Sequence, residues 1–232
     1  MIYELRSYHI SPGRMADQFR RFDELLPRLF NRHRIKSVGS WIAPSGVCGP
    51  SFVYLMAFED FAHRESSWSG FYSDEEWWHV RAETNAGSEL VESFDLTFLK
   101  PSPIWPSSHP PVPSGPHEIV VQRVWVGSRS TVNEFFSNVW LPFFHKAGAS
   151  TLGVFDVLTG STLPAVALFL AWPNSKIRDD AWRTARIDAT MADALAGRRN
   201  IDGKSALAQR DVTLLYPRSS APIDPSLGRP PA

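Results

Sequence analysis

The stretch Lys100–Pro116, KPSPIWPSSHPPVPSGP, holds seven prolines. Each proline removes a backbone donor and fixes φ, so this run cannot continue a helix or sit in a central strand. It reads as a semi-rigid linker over residues 100–116. It cuts the chain near its middle, and the text on either side is similar. The N-terminal side opens with an alternating strand, Ile2 to His9. A helix runs from about Arg14 to Arg32, with Phe19, Phe22, Leu25, Leu26 and Leu29 at helical spacing. Strands follow near Ile35–Ala43 and Phe52–Phe58. A helical region spans Glu59–Gly87, broken around SGFYSD, and Leu90–Leu99 alternates again.

The C-terminal side repeats the order: a strand at Glu118–Val126, a helix at Ser130–Lys146, strands at Ala149–Leu158 and Ala165–Ala171, a helix at Asn174–Ala196 and a last strand at Asp211–Tyr216. Local words recur too. Leu26-Pro27 and Leu141-Pro142 each precede a glycine, Gly39 or Gly153, and two residues later comes Trp41 or Phe155. Trp68 and Trp182 open corresponding helices. Arg6 and Arg123 look equivalent, each followed two residues on by an aromatic, Tyr8 or Trp125, and Val121 then stands where Glu4 was. Each half reads β-α-β-β-α-β, the ferredoxin-like split unit. The expected fold class is therefore α+β: two tandem ferredoxin-like units forming an α+β barrel, because each sheet has a bare face that needs cover. The expected domains are residues 1–99, the linker 100–116, residues 117–216, and a disordered Pro-rich tail 217–232.

Composition narrows the function. Lys+Arg and Asp+Glu both number 24, so charge suggests neither nucleic acid nor an anionic membrane as partner. Cys48 is the single cysteine, which fits a reducing compartment and rules out an intramolecular disulfide. MIYELRSYHI lacks a basic segment followed by an apolar one, and no apolar run approaches the roughly 20 residues of a membrane span. A cytoplasmic protein without membrane insertion is expected. Nine tryptophans and fifteen phenylalanines suit a core, and also a cavity for a flat apolar ligand.

MIYELRSYHISPGRMADQF resembles the opening of NIPSNAP domains, of the dimeric α+β barrel superfamily. Val38-Gly39 with Trp41, Asp74 to Trp77 as an acidic-x-Glu-Trp word, and the closing LKPSP extend the likeness over residues 1–103. The second half is a weaker copy. The resemblance implies the fold more than an activity. The wider superfamily includes cofactor-free monooxygenases acting on aromatic polyketides, isomerases, lyases and haem enzymes, and fold alone does not choose among them.

Candidate chemistry gathers on the first strand. Glu4, Arg6 and Tyr8 alternate, so they share one face with Ile2. One reading is a structural ion pair between stacked sheets. The other has Arg6 holding an anionic or enolate oxygen with Tyr8 as proton donor. Arg123 and Trp125 would form a pseudo-symmetric version. His33 lies at an element end and is a candidate base; His145 lies at another, and either could equally be a cap. Trp41, Trp77 and Trp78 are candidate pocket walls. Trp77 and Trp78 are neighbours about 100° apart on a helix that Ser73 could cap, so one apolar face does not easily take both. No metal site and no cofactor are expected. Three functions stay open: a cofactor-independent enzyme acting on a small hydrophobic or aromatic molecule by oxygenation, cyclisation or isomerisation; a non-catalytic binder; and a homodimeric scaffold, which would lack any cavity of a few hundred Å³. A homodimer is expected in each case.

Overall fold

The computed structural model describes residues 1–46, 49–106, 111–161, 163–197, 203, 205 and 207–218. The chain divides into two compact units, Met1–Phe98 with Pro217–Ala232, and Leu99–Tyr216. Both have the α+β, ferredoxin-like composition expected from the sequence.

In the first unit, β1 (Ile2–Ile10) pairs antiparallel with β3 (Ser51–Phe58), which pairs with β2 (Lys36–Ala43). The start of β4 (Val91–Pro101) is held near β1, where Ser11 N–H donates to Leu90 O at 3.0 Å. Four helical segments cover one face: α1 (Met15–Arg20), α2 (Leu26–Arg32), α3 (Phe61–Ser73) and α4 (Glu75–Asn85). Register decides which residues meet them. Phe52, Tyr54, Met56 and Phe58 share a core with Leu29, Phe30, Trp68 and Phe71. Their partners across the ladder are Tyr8, Arg6, Glu4 and Ile2. The Glu4–Arg6–Tyr8 face therefore lies under helices, which corrects the reading of Glu4 and Arg6 as an ion pair between stacked sheets.

The second unit repeats the plan. Its sheet runs β8 (Leu207–Pro217), β5 (His117–Val124), β7 (Ala165–Ala171), β6 (Ser150–Val157), all antiparallel. Helices α5 (Arg129–Phe135), α6 (Leu141–Lys146), α7 (Ser175–Ala185) and α8 (Ala189–Ala196) complete it. The strand read as beginning at Asp211 begins at Leu207. The helix read as continuous over 174–196 breaks after Ala185, because Asp188 caps a new helix by accepting the Met191 N–H at 2.7 Å. Asp74 does the same for α4, accepting the Glu76 N–H at 2.9 Å; the cap is thus Asp74, while Ser73 closes α3.

Lys100 and Pro101, read as linker, continue β4 and pair with Asp156 and Phe155. Beyond them Ser102 N–H donates to Val154 O at 2.9 Å, and Trp105 packs on Phe155 at 5.0 Å. In the segment read as tail, Pro217 ends β8 and Arg218 N–H donates to Ser40 O at 2.9 Å. The rest of that segment, 219–232, lies outside the described residues.

Each unit interrupts its first helix with a π turn, Arg21–Leu25 or Phe136–Trp140. Each π turn ends just before the recurring Leu-Pro word. Pro27 and Pro142 have no N–H to give the carbonyl four residues back, and the wider turn makes room for the ring.

Candidate functional site

The two units share one buried constellation. Glu4 is fully buried on β1 and pairs with the Arg6 guanidinium. Arg64 Nε on α3 donates to Glu4 Oε2 at 2.7 Å, and Trp68 Nε1 lies 3.4 Å from the same oxygen. In the second unit Glu118 is fully buried on β5, Arg178 Nε donates to its Oε2 at 2.7 Å, and Trp182 Nε1 to its carboxylate at 3.1 Å. Glu4/Glu118, Arg64/Arg178 and Trp68/Trp182 are each 114 residues apart, as are Gly39/Gly153 and Trp41/Phe155. This corrects the alignment of Arg6 with Arg123. The counterpart of Glu4 is Glu118, of Arg6 Val120, and of Tyr8 Gln122. Arg123 follows Gln122 and points to the other face of β5, and Trp125 lies beyond the strand, half exposed.

In the first unit a cavity of about 40 Å³ lies between sheet and helices. Tyr8, Tyr54, Tyr72 and Trp77 line it, with Arg21 and Gln18. Tyr8 accepts from Arg6 Nη1 at 3.0 Å and packs on Tyr54 at 5.1 Å. Burial and then the neighbouring Tyr8 hold the Tyr54 hydroxyl well above the ordinary tyrosine range, so it is a neutral donor. Tyr72 is raised for the same reasons. Burial would lower the Arg6 pKa, but Tyr54, Tyr8 and Glu4 outweigh it and the group is held charged. Arg6 is 2% exposed and its charge is met by Glu4, with its guanidinium carbon 3.9 Å above the Trp68 ring. Arg21 donates to Thr84 Oγ1 and Asn85 Oδ1, each at 2.6 Å; burial and then Arg81 lower its pKa to about 10. Gln18 Oε1 and Trp77 Nε1 are buried with no hydrogen-bond partner among the described residues.

The other sequence candidates lie elsewhere. His33 bonds Asp74 at 2.8 Å, tying the end of α2 to the α4 cap. Trp41 is 2% exposed, folded over Gly39. Trp78 is 51% exposed and donates from Nε1 to Tyr72 O at 2.9 Å, so of the tryptophan pair only Trp77 walls the cavity. His145 bonds Thr151 Oγ1 at 2.7 Å, and burial lowers its pKa.

The corresponding place in the second unit is open. There a cleft of about 760 Å³ is lined by Trp140, Trp182, Ala185 and Met191, with Arg186 and Arg210 among its polar groups. At the 114-residue spacing Ala185 replaces Phe71 and Met191 replaces Trp77. In the first unit Phe71 and Trp77 pack ring on ring at 4.8 Å and fill this space. The sequence reading missed the cleft and Arg210. The fixed spacing shared by the glycine and tryptophan pairs was the signal that would have found them. Among the described residues no group of three His, Cys, Asp or Glu could hold a metal ion. No helix among them is long and apolar enough to cross a membrane.

A duplicated ferredoxin-like α+β unit with a pocket between sheet and helices is the class the geometry defines. The NIPSNAP family model matches residues 3–106, a little under half of the chain. An uncharacterised NIPSNAP domain protein from Burkholderia xenovorans is 21% identical, covering 46% of this chain and all of that one, with a TM-score of 0.40. A Lactobacillus acidophilus protein described as a proposed monooxygenase is 8% identical and covers 93% of each chain, with a TM-score of 0.56. An anthrone oxidase-like protein is 12% identical, covers 94% of this chain and 91% of its own, and also has a TM-score of 0.56. The last two likenesses show the fold across nearly the whole chain. No curated protein matches the chain.

Proposed function

We propose that this protein acts on a small, flat hydrophobic or aromatic molecule bound in the cleft of the second unit. The observation that carries this is the cleft itself: it has the volume of a small-molecule site and lies where the first unit is plugged by two aromatic rings. A scaffold has no use for it. The reaction class is cofactor-independent oxygenation, cyclisation or isomerisation. Each begins by moving a proton from an enolisable or phenolic substrate to a base, for which Asp179 is the one carboxylate among the described lining residues, and a guanidinium such as that of Arg210 stabilises the resulting oxyanion; oxygenation also consumes dioxygen. The whole-chain likeness to proteins described as monooxygenase or anthrone oxidase-like supports this class by fold only. The Tyr8–Arg6 pair is then supporting structure in the plugged copy. The protein works in the cytoplasm as a homodimer, with exposed Trp78, Phe94 and Trp125 available for burial; light scattering giving one chain's mass overturns the dimer.

One observation favours a non-catalytic binder as second reading: among the described lining residues of the cleft there is no His, Tyr or Cys, and the one carboxylate, Asp179, is paired with Arg178. Native mass spectrometry of protein from its own host separates the two. The co-purifying aromatic is identified and returned to the protein in air. A change in ligand mass or chromatographic retention, abolished in Arg210→Gln, establishes the enzyme; quantitative recovery of ligand unchanged in both establishes the binder. If a neutral aromatic probe does not bind the purified protein and Met191→Trp changes nothing, the cleft reading is overturned.

A further inference from the structure

We infer that the ligand of the second-unit cleft is an anion: a flat apolar body carrying a carboxylate, sulfonate or enolate oxygen that is received by Arg210. This rests on the cleft reading above and names the ligand class for it.

Arg210 lies on β8, partly buried, with its guanidinium carbon 5.4 Å from the Trp182 ring centre and 6.0 Å from that of Trp140. Its Nε donates to Gln122 Oε1 at 2.9 Å. Gln122 is 1% exposed, and its amide nitrogen donates to Arg123 O at 2.8 Å and Ala208 O at 2.9 Å. Those two bonds fix the amide so that its oxygen faces Arg210. The guanidinium is therefore oriented, and its Nη1 and Nη2 groups have no protein acceptor among the described residues.

Among the described residues no carboxylate forms an ion pair with Arg210. The nearest buried acid, Glu118, is committed to Arg178, Trp172 Nε1 at 2.9 Å and Trp182 Nε1. Arg178 also holds Asp179, the acid among the described lining residues, and Arg183 holds the neighbouring Asp180. Arg186, exposed at the same cleft, has no ion pair among the described residues. A cation that is partly desolvated and unpaired is costly unless something meets it. Burial accordingly lowers the Arg210 pKa, with Glu118 only partly opposing. The indoles of Trp140 and Trp182 offer flat apolar walls beside the free edge of the fork. An anionic aromatic meets both needs together.

The test uses the full chain and two probes with the same ring system. 1-Anilinonaphthalene-8-sulfonate carries a sulfonate; N-phenyl-1-naphthylamine is neutral and more hydrophobic. We expect the sulfonate to bind at one site per chain at least tenfold more tightly, and its affinity to fall with salt while the neutral probe's does not. Arg210→Gln should cost the sulfonate tenfold or more and leave the neutral probe within twofold. Met191→Trp should block both. Equal affinity for the two probes, or no salt dependence, overturns the anion inference while leaving the cleft reading intact. Absence of binding by both probes defeats the cleft reading itself. Should Arg210→Gln fail to fold, the affinity ratio and salt dependence of the unaltered protein decide alone.

Discussion

Glu4 accepts from two guanidiniums, Arg6 and Arg64, in a place that water hardly reaches. Removing one partner of such a group leaves a buried charge without compensation, which costs about 3–5 kcal/mol. Glu4→Ala should lose that much in urea unfolding, whereas Arg64→Ala, whose own side chain is partly exposed, should lose less. Equal losses would mean that Arg6 is not the group left stranded. A second residue sets a pH dependence. His117 is 6% exposed on β5, and burial lowers its pKa to about 4 from an ordinary 6.5. The fold thus favours the neutral ring. Its contribution is complete above pH 6.5 and is lost as pH falls from there toward 4, about 2 kcal/mol by pH 5. His117→Phe should lose less stability than the natural chain between pH 8 and pH 5; parallel losses would show that the ring is as easily protonated in the fold as out of it.

At the scale of elements, Gly39 and Gly153 each mark a bulge where the register of the second strand shifts. Trp41 and Phe155 fold back over these glycines, and a Cβ there would lie 2.7 Å from Trp41 Cζ2 or 2.8 Å from Phe155 Cζ. Gly39→Ala should cost about 1–3 kcal/mol by overpacking. In a Trp41→Val background the same change should be nearly free, and a double-mutant cycle by chemical denaturation measures the coupling. Additive losses would exclude the ring as the cause. This pairing explains why the fold was legible: Gly-x-aromatic, Leu-Pro and the tryptophans Trp68 and Trp182, which lie in the second halves of α3 and α7 rather than at their starts, recur because each solves a local packing problem that both units share. What was not legible was the strand register. Arg6 and Arg123 match by residue type and by their aromatic neighbours, yet on an edge-to-edge ladder an error of three residues turns a side chain to the opposite face. The spacing of the paired glycines carried the register, and the arginine resemblance did not.

Across the whole molecule, two copies of one plan have taken different courses at one place. In the first, Phe71, Trp77 and three tyrosines leave a space fit for little more than water; in the second, Ala185 and Met191 leave a cleft. A candidate site read from the better-preserved copy therefore took in Arg6, Tyr8 and Trp77, which stand in or beside the small cavity, and passed over Arg210 of the open cleft, to which our proposal gives the ligand's anion. Emptiness is a difference between copies, and sequence patterns report what is present. If the aromatic plug is what closes the first unit, then Trp77→Met should open it. The expected stoichiometry for N-phenyl-1-naphthylamine rises from one to two per chain, with a stability loss of about 2–5 kcal/mol from the emptied volume. Adding Met191→Trp to the same chain should return the count to one, now with the first unit occupied. The second site should bind the neutral probe and show no dependence on Arg210. A count that stays at one in the folded Trp77→Met protein would mean that the tyrosines and Phe71 close the cavity without Trp77, and that the two units diverged by more than the loss of that plug.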